Sequence, residues 1–352
     1  MPLTPLPNFT REPFTRERAV AAGLSDTALR GRRFRRLFRG VYISAASPLE
    51  PRHWILAAVL AMPAGSVASH VSALRLYGFA IGPVHPFHVS TESRTHTRHD
   101  GIVPHQRRHR IGVTVVAGVP ATGPDRTIVD IATKVTLIQL VQAIEHMLHH
   151  GQTTLDRLTR YALERHLDGV RRTRRALTLA REGSESPMET LVRLMIRFAR
   201  LPEPTPNLEI RDEHGLFLAR GDLVLARWKI LVEYDGWHHE RDADQRVRDI
   251  GRRERLEGAG WRVIVVTAGD LRRPRQIVRR VHAVLVERGW TGPAPVFSDQ
   301  WDAWFDPERT PTPAEPRKSA VTGRPVRKRD PKVPTYWERS DVRRKPRPRR
   351  TS

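Results

Sequence analysis

Asp222, Glu233 and Asp235 are the residues of this chain whose type and spacing could do chemistry. They lie in the stretch LFLARGDLVLARWKILVEYDGW, where two apolar runs flank Ala226-Arg227 and predict an antiparallel strand pair. Side chains alternate faces along a strand, so Leu231, Glu233 and Asp235 share one side and Ile230, Val232 and Tyr234 the other. With an even-numbered connection, Asp222 stands opposite an odd-numbered residue, here taken as Leu231, and shares the face of Glu233 and Asp235. Diagonal neighbours of that kind are about 7–8 Å apart. Carboxylates so placed raise one another's pKa. A hard divalent cation with oxygen ligands, Mg2+ or Mn2+, relieves the repulsion. The competing reading is structural: solvated carboxylates at strand ends, with Arg220 pairing Glu233 across the ladder.

Elements on either side must position that hairpin. Ser186-Pro187-Met188-Glu189 opens a helix as a capping box, which gives Glu189 a structural role of its own. Leu191, Leu194, Met195 and Phe198 form its inward stripe. After the hairpin comes a charged helix from about Asp242 to Glu257, ended by Gly258 or Gly260. The buried strand WRVIVVT follows, then an amphipathic helix carrying Ile277, Val281 and Leu285 before Gly289. The order is helix, two or three strands, helix, strand, helix.

Residues 186–289 resemble the very-short-patch-repair-like (Vsr-like) endonuclease domain of the PD-(D/E)XK, restriction-endonuclease-like nucleases. The resemblance is carried by Glu189, Asp222, the run Val232-Glu233-Tyr234-Asp235-Gly236, His239, Asp249 with Arg252 and Arg253, Leu256, and Gly260-Trp261-Arg262-Val263. It implies Asp222 and Glu233 as principal metal ligands and Glu189 as an additional ligand or water-holder. It implies magnesium- or manganese-dependent hydrolysis of DNA phosphodiester bonds. Asp235 occupies the place where many such nucleases carry Lys, and Lys229 is too far back along the strand to replace it. His239 is then the nearest candidate to accept a proton or contact the scissile phosphate. Arg248, Arg252 and Arg253 are candidates to hold the DNA backbone. A surface helix salt-bridged through Asp244, Asp249 and Glu254 is the alternative for them.

At the other end, residues 14–43 read as a helix capped by Thr15, a break at Gly23, a second helix capped by Ser25, and a strand-like LFRGVYI. That is the outline of a winged helix-turn-helix. Leu29 is expected to turn inward, with Thr27, Ala28 and Arg30 outward. Arg30, Arg32, Arg33, Arg35, Arg36 and Arg39 make a dense positive patch suited to phosphates, and Thr27, Arg30, Arg33, Arg36 and Arg39 are the candidate DNA contacts. A small helical domain for protein contacts is the competing reading. The Gly23-Leu24-Ser25 turn and the RRLFRGVYI end resemble the N-terminal domain of AbiEi-type antitoxins, which implies DNA or promoter binding and a partner toxin.

Between Pro51 and about Leu179 a largely apolar helix pair breaks at Pro63-Ala64-Gly65. FHVSTESR, GIVPHQRR and GVTVVAGVPAT then read as strands, followed by two helices. Asp125-Arg126-Thr127 with Asp130 resembles the second part of the antitoxin arrangement. His146, His149 and His150 have no carboxylate at ligand spacing and read as surface or packing residues. Nothing in this stretch indicates a catalytic site.

Composition bounds the rest. Of 352 residues, 39% are hydrophobic, and the net charge of +23 predicts a polyanionic partner, DNA or RNA. No apolar run approaches the ~20 residues of a bilayer span, and no signal segment stands out, so a soluble cytoplasmic protein is expected. The absence of cysteine excludes disulfides, thiol catalysis and zinc held through cysteine. The predicted architecture is an α+β multidomain chain. It comprises a winged helix-turn-helix over 1–48, a mixed α/β domain over 49–180, the nuclease-like core over 181–290, and a disordered, basic, Pro-rich tail over 291–352. The function expected from it is DNA binding with metal-dependent endonuclease activity. The alternative is a non-catalytic transcriptional regulator or antitoxin whose nuclease fold has lost its chemistry.

Overall fold

The computed structural model describes residues 7–94, 99–235 and 243–306, the side chains of 243–249 excepted. The described residues fall within one compact unit, Met1–Pro313. Among them no helix is long and apolar enough to cross a membrane.

After a 3-10 turn at Asn8–Arg11, the first strand, β1 (Phe14–Thr15), leads into α1 (Arg16–Ala21) and α2 (Asp26–Arg30). Thr15 and Ser25 cap the two helices by accepting from the Arg18 and Ala28 amides, as their positions predict. The hairpin β2 (Phe34–Phe38) and β3 (Val41–Ser44) turns at Arg39-Gly40, where Gly40 takes a φ of +80°. These strands pair in the order β1-β3-β2 over a small core of Phe14, Ala19, Leu29 and Phe34.

The middle of the chain begins with α3 (Pro51–Leu60), β4 (Val67–Ala68) and α4 (His70–Leu76). Then come β5 (Phe87–Thr91), β6 (Ile102–Gln106), β7 (Val113–Val116) and β8 (Val119–Thr122). They form a five-stranded mixed sheet in the order β6-β5-β4-β8-β7. Next along the chain are α5 (Pro124–Ile131), α6 (Leu137–His149), α7 (Leu155–Glu164) and α8 (Val170–Leu177). The strand β4 is too short to show in the sequence pattern, and it is the element that joins the two halves of the sheet.

The last part opens with α9 (Pro187–Phe198), then β9 (Thr205–Arg211), β10 (Phe217–Leu225) and β11 (Ile230–Asp235). After α10 (Ala243–Gly258) come β12 (Arg262–Thr267), α11 (Pro274–Glu287) and α12 (Asp299–Phe305). The sheet order is β12-β11-β10-β9, with β9, β10 and β11 antiparallel and β12 parallel to β11. One face packs Leu223, Leu225, Ile230 and Val232 into the main core, and the other packs Val224 and Leu231 with Leu256 of α10. Residues 299–305, expected within a disordered tail, form α12 instead. α12 is capped by Ser298, buries Trp301 and Phe305, and donates the Trp301 indole N–H to the Met195 carbonyl at 3.0 Å.

One apolar core runs from α5 and α6 through α9 to the last sheet and α11. Arg193 of α9 lies at its centre with 0% of its side chain exposed, hydrogen-bonded to Glu145 of α6 and, at 2.5 Å, to Glu203. Thr190 donates to the other Glu145 oxygen at 2.5 Å, and the Arg181 amide donates at 2.8 Å. Burial raises the Glu145 carboxyl above the ordinary range, and Arg193 counteracts it in part. Removing one member of such a pair leaves the other charge buried and uncompensated. Arg193→Met is therefore expected to lower unfolding free energy in urea by about 3–5 kcal/mol, with most of the loss recovered in the double variant Arg193→Met/Glu145→Leu. A single variant within about 1 kcal/mol of wild type would contradict this account of the core.

Candidate functional site

Three groups of polar side chains come together on this scaffold. The first is on the α2 to β3 segment. Leu29 is buried, and Thr27, Ala28 and Arg30 are exposed, as the helix pattern predicts. Arg32, Arg36 and Arg39 are also exposed, and Arg33 is half-buried. Arg35 departs from the set: it turns inward and donates to the Ser47 carbonyl. Arg52 of α3 holds Glu12 through two hydrogen bonds of 2.9 and 2.8 Å, fastening this module to the next. The result is an arginine-bearing surface that follows the second helix and the hairpin after it.

The second group is the carboxylate hairpin. The connection between β10 and β11 has an even number of residues, since Leu225 pairs with Ile230. Its last residue, Lys229, takes the left-handed conformation with φ 49°. The expected pairing of Asp222 with Leu231 is not formed, because Leu231 pairs with Val224. The ladder runs from Leu225 to Leu223, opposite Ile230 to Val232, and Asp222 Oδ2 accepts from the Tyr234 amide at 3.1 Å. Gly221 leaves room for the Leu231 side chain, since a Cβ there would lie 2.5 Å from Leu231 Cδ1. Arg220 pairs with Glu185 at 2.5 Å, not with Glu233, whose partner is Arg252 of α10 at 2.5 Å. Arg252 also donates to the Arg220 carbonyl at 3.0 Å, and Arg253 is exposed, 3.9 Å from Glu257. Asp235 ends β11, half-buried, opposite Thr267.

Glu189 is buried at the start of α9. Ser186 accepts from its amide at 3.1 Å, but the reciprocal half of the capping box is absent. The Glu189 carboxylate accepts instead from the Glu185 amide at 3.0 Å and from Asn207 Nδ2 at 2.9 Å, a residue held at φ 48°. Lys229 points away, its Nζ donating to the Ala259 carbonyl at 3.0 Å, so it does not substitute for the lysine missing at Asp235. His239 and the side chain of Arg248 lie outside the described residues. Asp222, Glu233 and Glu189 offer only oxygen donors, and their ligand atoms do not all lie within 4.8 Å of one another. In the arrangement observed, Arg252 already neutralises Glu233.

The third group was not legible in the sequence. A cleft of about 1380 Å³ runs beside α5, with Arg107, Arg126, Lys134, Arg157 and Arg160 on its walls. Asp130, buried on α5, holds Arg107 at 2.6 Å and Arg126 at 2.8 Å, and Asp125 holds Arg157 at 2.8 Å. His70 and His105 also line it. With His88 they are the one set, among the described residues, in which three ligand atoms lie within 4.8 Å of one another. Burial is the main cause that holds all three rings neutral: His70 well below its ordinary value, His88 at about 4 and His105 at about 3. His146, by contrast, is satisfied by the Tyr77 carbonyl at 2.9 Å and His150 by the His146 carbonyl at 3.0 Å.

Asp222 carries the clearest electrostatic signature. Burial raises its carboxyl from 3.8 to about 6; the Tyr234 amide opposes this, Glu189 and Glu233 add to it, and Arg252 lowers it. The folded value lies above the unfolded one. Its stabilising contribution is therefore complete below about pH 4 and is lost as pH rises through about 6. Above that window the buried charge costs at most about 3 kcal/mol. Asp222→Asn keeps an acceptor for the Tyr234 amide and removes the charge. Its expected effect is a gain in melting temperature at pH 8 that vanishes at pH 4. An equal gain at both values, or a loss at pH 8, would refute the electrostatic assignment.

Residues 66–179 match the family model described as the AbiEi antitoxin C-terminal domain. Two uncharacterized proteins, from two strains of Mycobacterium tuberculosis, are each 25% identical to the chain over 250 residues, covering 70% of this chain and 90% of the relative. The family match runs from β4 through α8. It contains the whole cleft and the histidine set, and α3 lies between it and the arginine-bearing module.

Proposed function

We propose that this chain is a DNA-binding regulator of the antitoxin type, with the α2 to β3 segment as a winged helix-turn-helix. The observation that carries the reading is the AbiEi antitoxin match over 66–179, which follows, after α3, a surface of exposed Thr27, Arg30, Arg36 and Arg39. An excess of +23 charges favours a polyanion, and the phosphate backbone supplies salt-dependent affinity to any such surface. A protein toxin is the partner that the same match suggests. The expected result is binding of duplex DNA from upstream of its own reading frame, weakened by added salt. Triple replacement of Arg30, Arg36 and Arg39 by alanine should flatten the log K against log salt slope by about one for each phosphate the variant no longer neutralises. Unchanged affinity and slope in that variant would remove the helix and hairpin as the DNA-binding surface.

A second reading, metal-dependent cleavage of DNA, is favoured by one specific observation. Asp222 is buried, and the charges of Glu189 and Glu233 raise its carboxyl further, near the end of a hairpin in a helix, three strands, helix, strand, helix order. In that reading Asp222 and Glu233 would hold Mg2+ or Mn2+, Glu189 would hold a ligand water or a third bond, and Asp235 or His239 would stand near the reacting phosphate. Bound metal would supply acidified water and neutralise phosphate charge. Arg252 and Arg253, with Arg248, would position the backbone. The two readings separate in one assay. Plasmid nicking that needs Mg2+ or Mn2+, stops with EDTA and disappears in Asp222→Ala supports the enzyme. Tight DNA binding without nicking under either metal rejects it.

A further inference from the structure

His70, His88 and His105 come from three different elements, and the fold brings them to one point. His88 and His105 lie on the parallel pair β5 and β6, where Ser90 faces His105; His88, two residues back from Ser90, shares its face. His70 opens α4 with φ 52°, a conformation that a non-glycine residue adopts only when its surroundings hold it there. Its ring stacks on His105 at 3.7 Å between centroids, and His88 Nδ1 lies 2.8 Å from His105 Nε2. Ser69 Oγ, itself fully buried, lies 2.9 Å from His70 Nδ1 and fixes the orientation of that ring.

We infer that His70, His88 and His105 form a binding site for a late first-row divalent metal ion, zinc by preference, with its remaining coordination position open to the basic cleft. Imidazole nitrogen suits zinc, and the chain offers no thiolate that would draw a softer ion elsewhere. Zinc–nitrogen bonds of about 2.0–2.1 Å place neighbouring nitrogens about 3.3 Å apart in a tetrahedron. One nitrogen from each ring already lies within 4.8 Å of the others, so the site closes by ring rotation without movement of the strands. Coordination replaces the His88–His105 hydrogen bond. The Ser69–His70 contact is the outer-sphere support that metal-bound imidazoles usually have. His70 and His105 face the cleft, so a fourth ligand enters from that side. Arg107 and Lys134 stand nearby and favour an anion there, while Asp130 offsets Arg107. Three protein nitrogens and one open position are the pattern of a reactive or ligand-binding zinc site, as opposed to a closed structural one.

The test uses the full chain without a histidine tag, stripped by chelation and titrated with Zn2+ against a chromophoric competitor. The expected result is one Zn2+ per chain, bound more tightly than about 1 μM. Co2+ in its place should show the intense ligand-field absorption of a four- or five-coordinate ion. His88→Ala and His105→Ala should each weaken binding at least about 100-fold, and Ser69→Ala about 10–100-fold. His149→Ala should leave it unchanged. No stoichiometric uptake by wild type overturns the site whatever the variants do, and so does uptake that survives both His88→Ala and His105→Ala.

Discussion

Arg193 is buried without solvent contact in the middle of the main core, and its two terminal nitrogens meet Glu145 on one side and Glu203 on the other. An arginine there is tolerable only if both carboxylates are in place, because an isolated buried charge costs far more than any surface pair returns. Glu145 belongs to α6, Glu203 to the turn after α9. The same ion pairs therefore set how the middle of the chain docks on α9, and through α9 how the last sheet is held. Glu189 sits one turn before Arg193 on that helix, and Asn207 of β9 reaches back to it. The surroundings of Glu189 thus depend on ion pairs that Glu189 itself does not make.

Charge is distributed in the opposite way at the surface. Arg30, Arg36 and Arg39 of α2 and the following hairpin are exposed, whereas Arg107, Arg126 and Arg157 of the cleft are held by the buried Asp125 and Asp130. The first arrangement turns cations outward, as the proposed contact with a polyanion requires. The second fixes guanidinium groups in position around a concave space. The carboxylate hairpin differs from both: a buried Asp222 is raised further by the charges of Glu189 and Glu233, and Arg252 pairs with Glu233.

Much of this was legible in the residues. Caps at Thr15, Ser25 and Ser186, the inward Leu29, and the helices and apolar strands of the last part all follow from local pattern. The partner of Leu231 did not. A shift of two residues keeps every side chain on its face, so the alternation could not distinguish Asp222 from Val224 as that partner. The four-residue connection with left-handed Lys229 decided it. Elsewhere β4 was too short to be read as a strand, and β9 emerges from a proline-rich run that hides its start. The histidine set was invisible because its members lie 18 and 17 residues apart and meet only through strand pairing. For α12, overall composition masked a Ser298 cap and a Trp301/Phe305 pair that were present in the sequence.

A hydroxyl-radical footprint of the full chain on duplex DNA upstream of its own reading frame, at about 150 mM salt, tests the account most directly. A regulator that docks a helix and a hairpin on the duplex predicts discrete windows of protected backbone that persist at that salt. Uniform protection, or release of all protein from the duplex at that salt, would mean that the basic charge acts only as a non-specific attraction and would contradict the account.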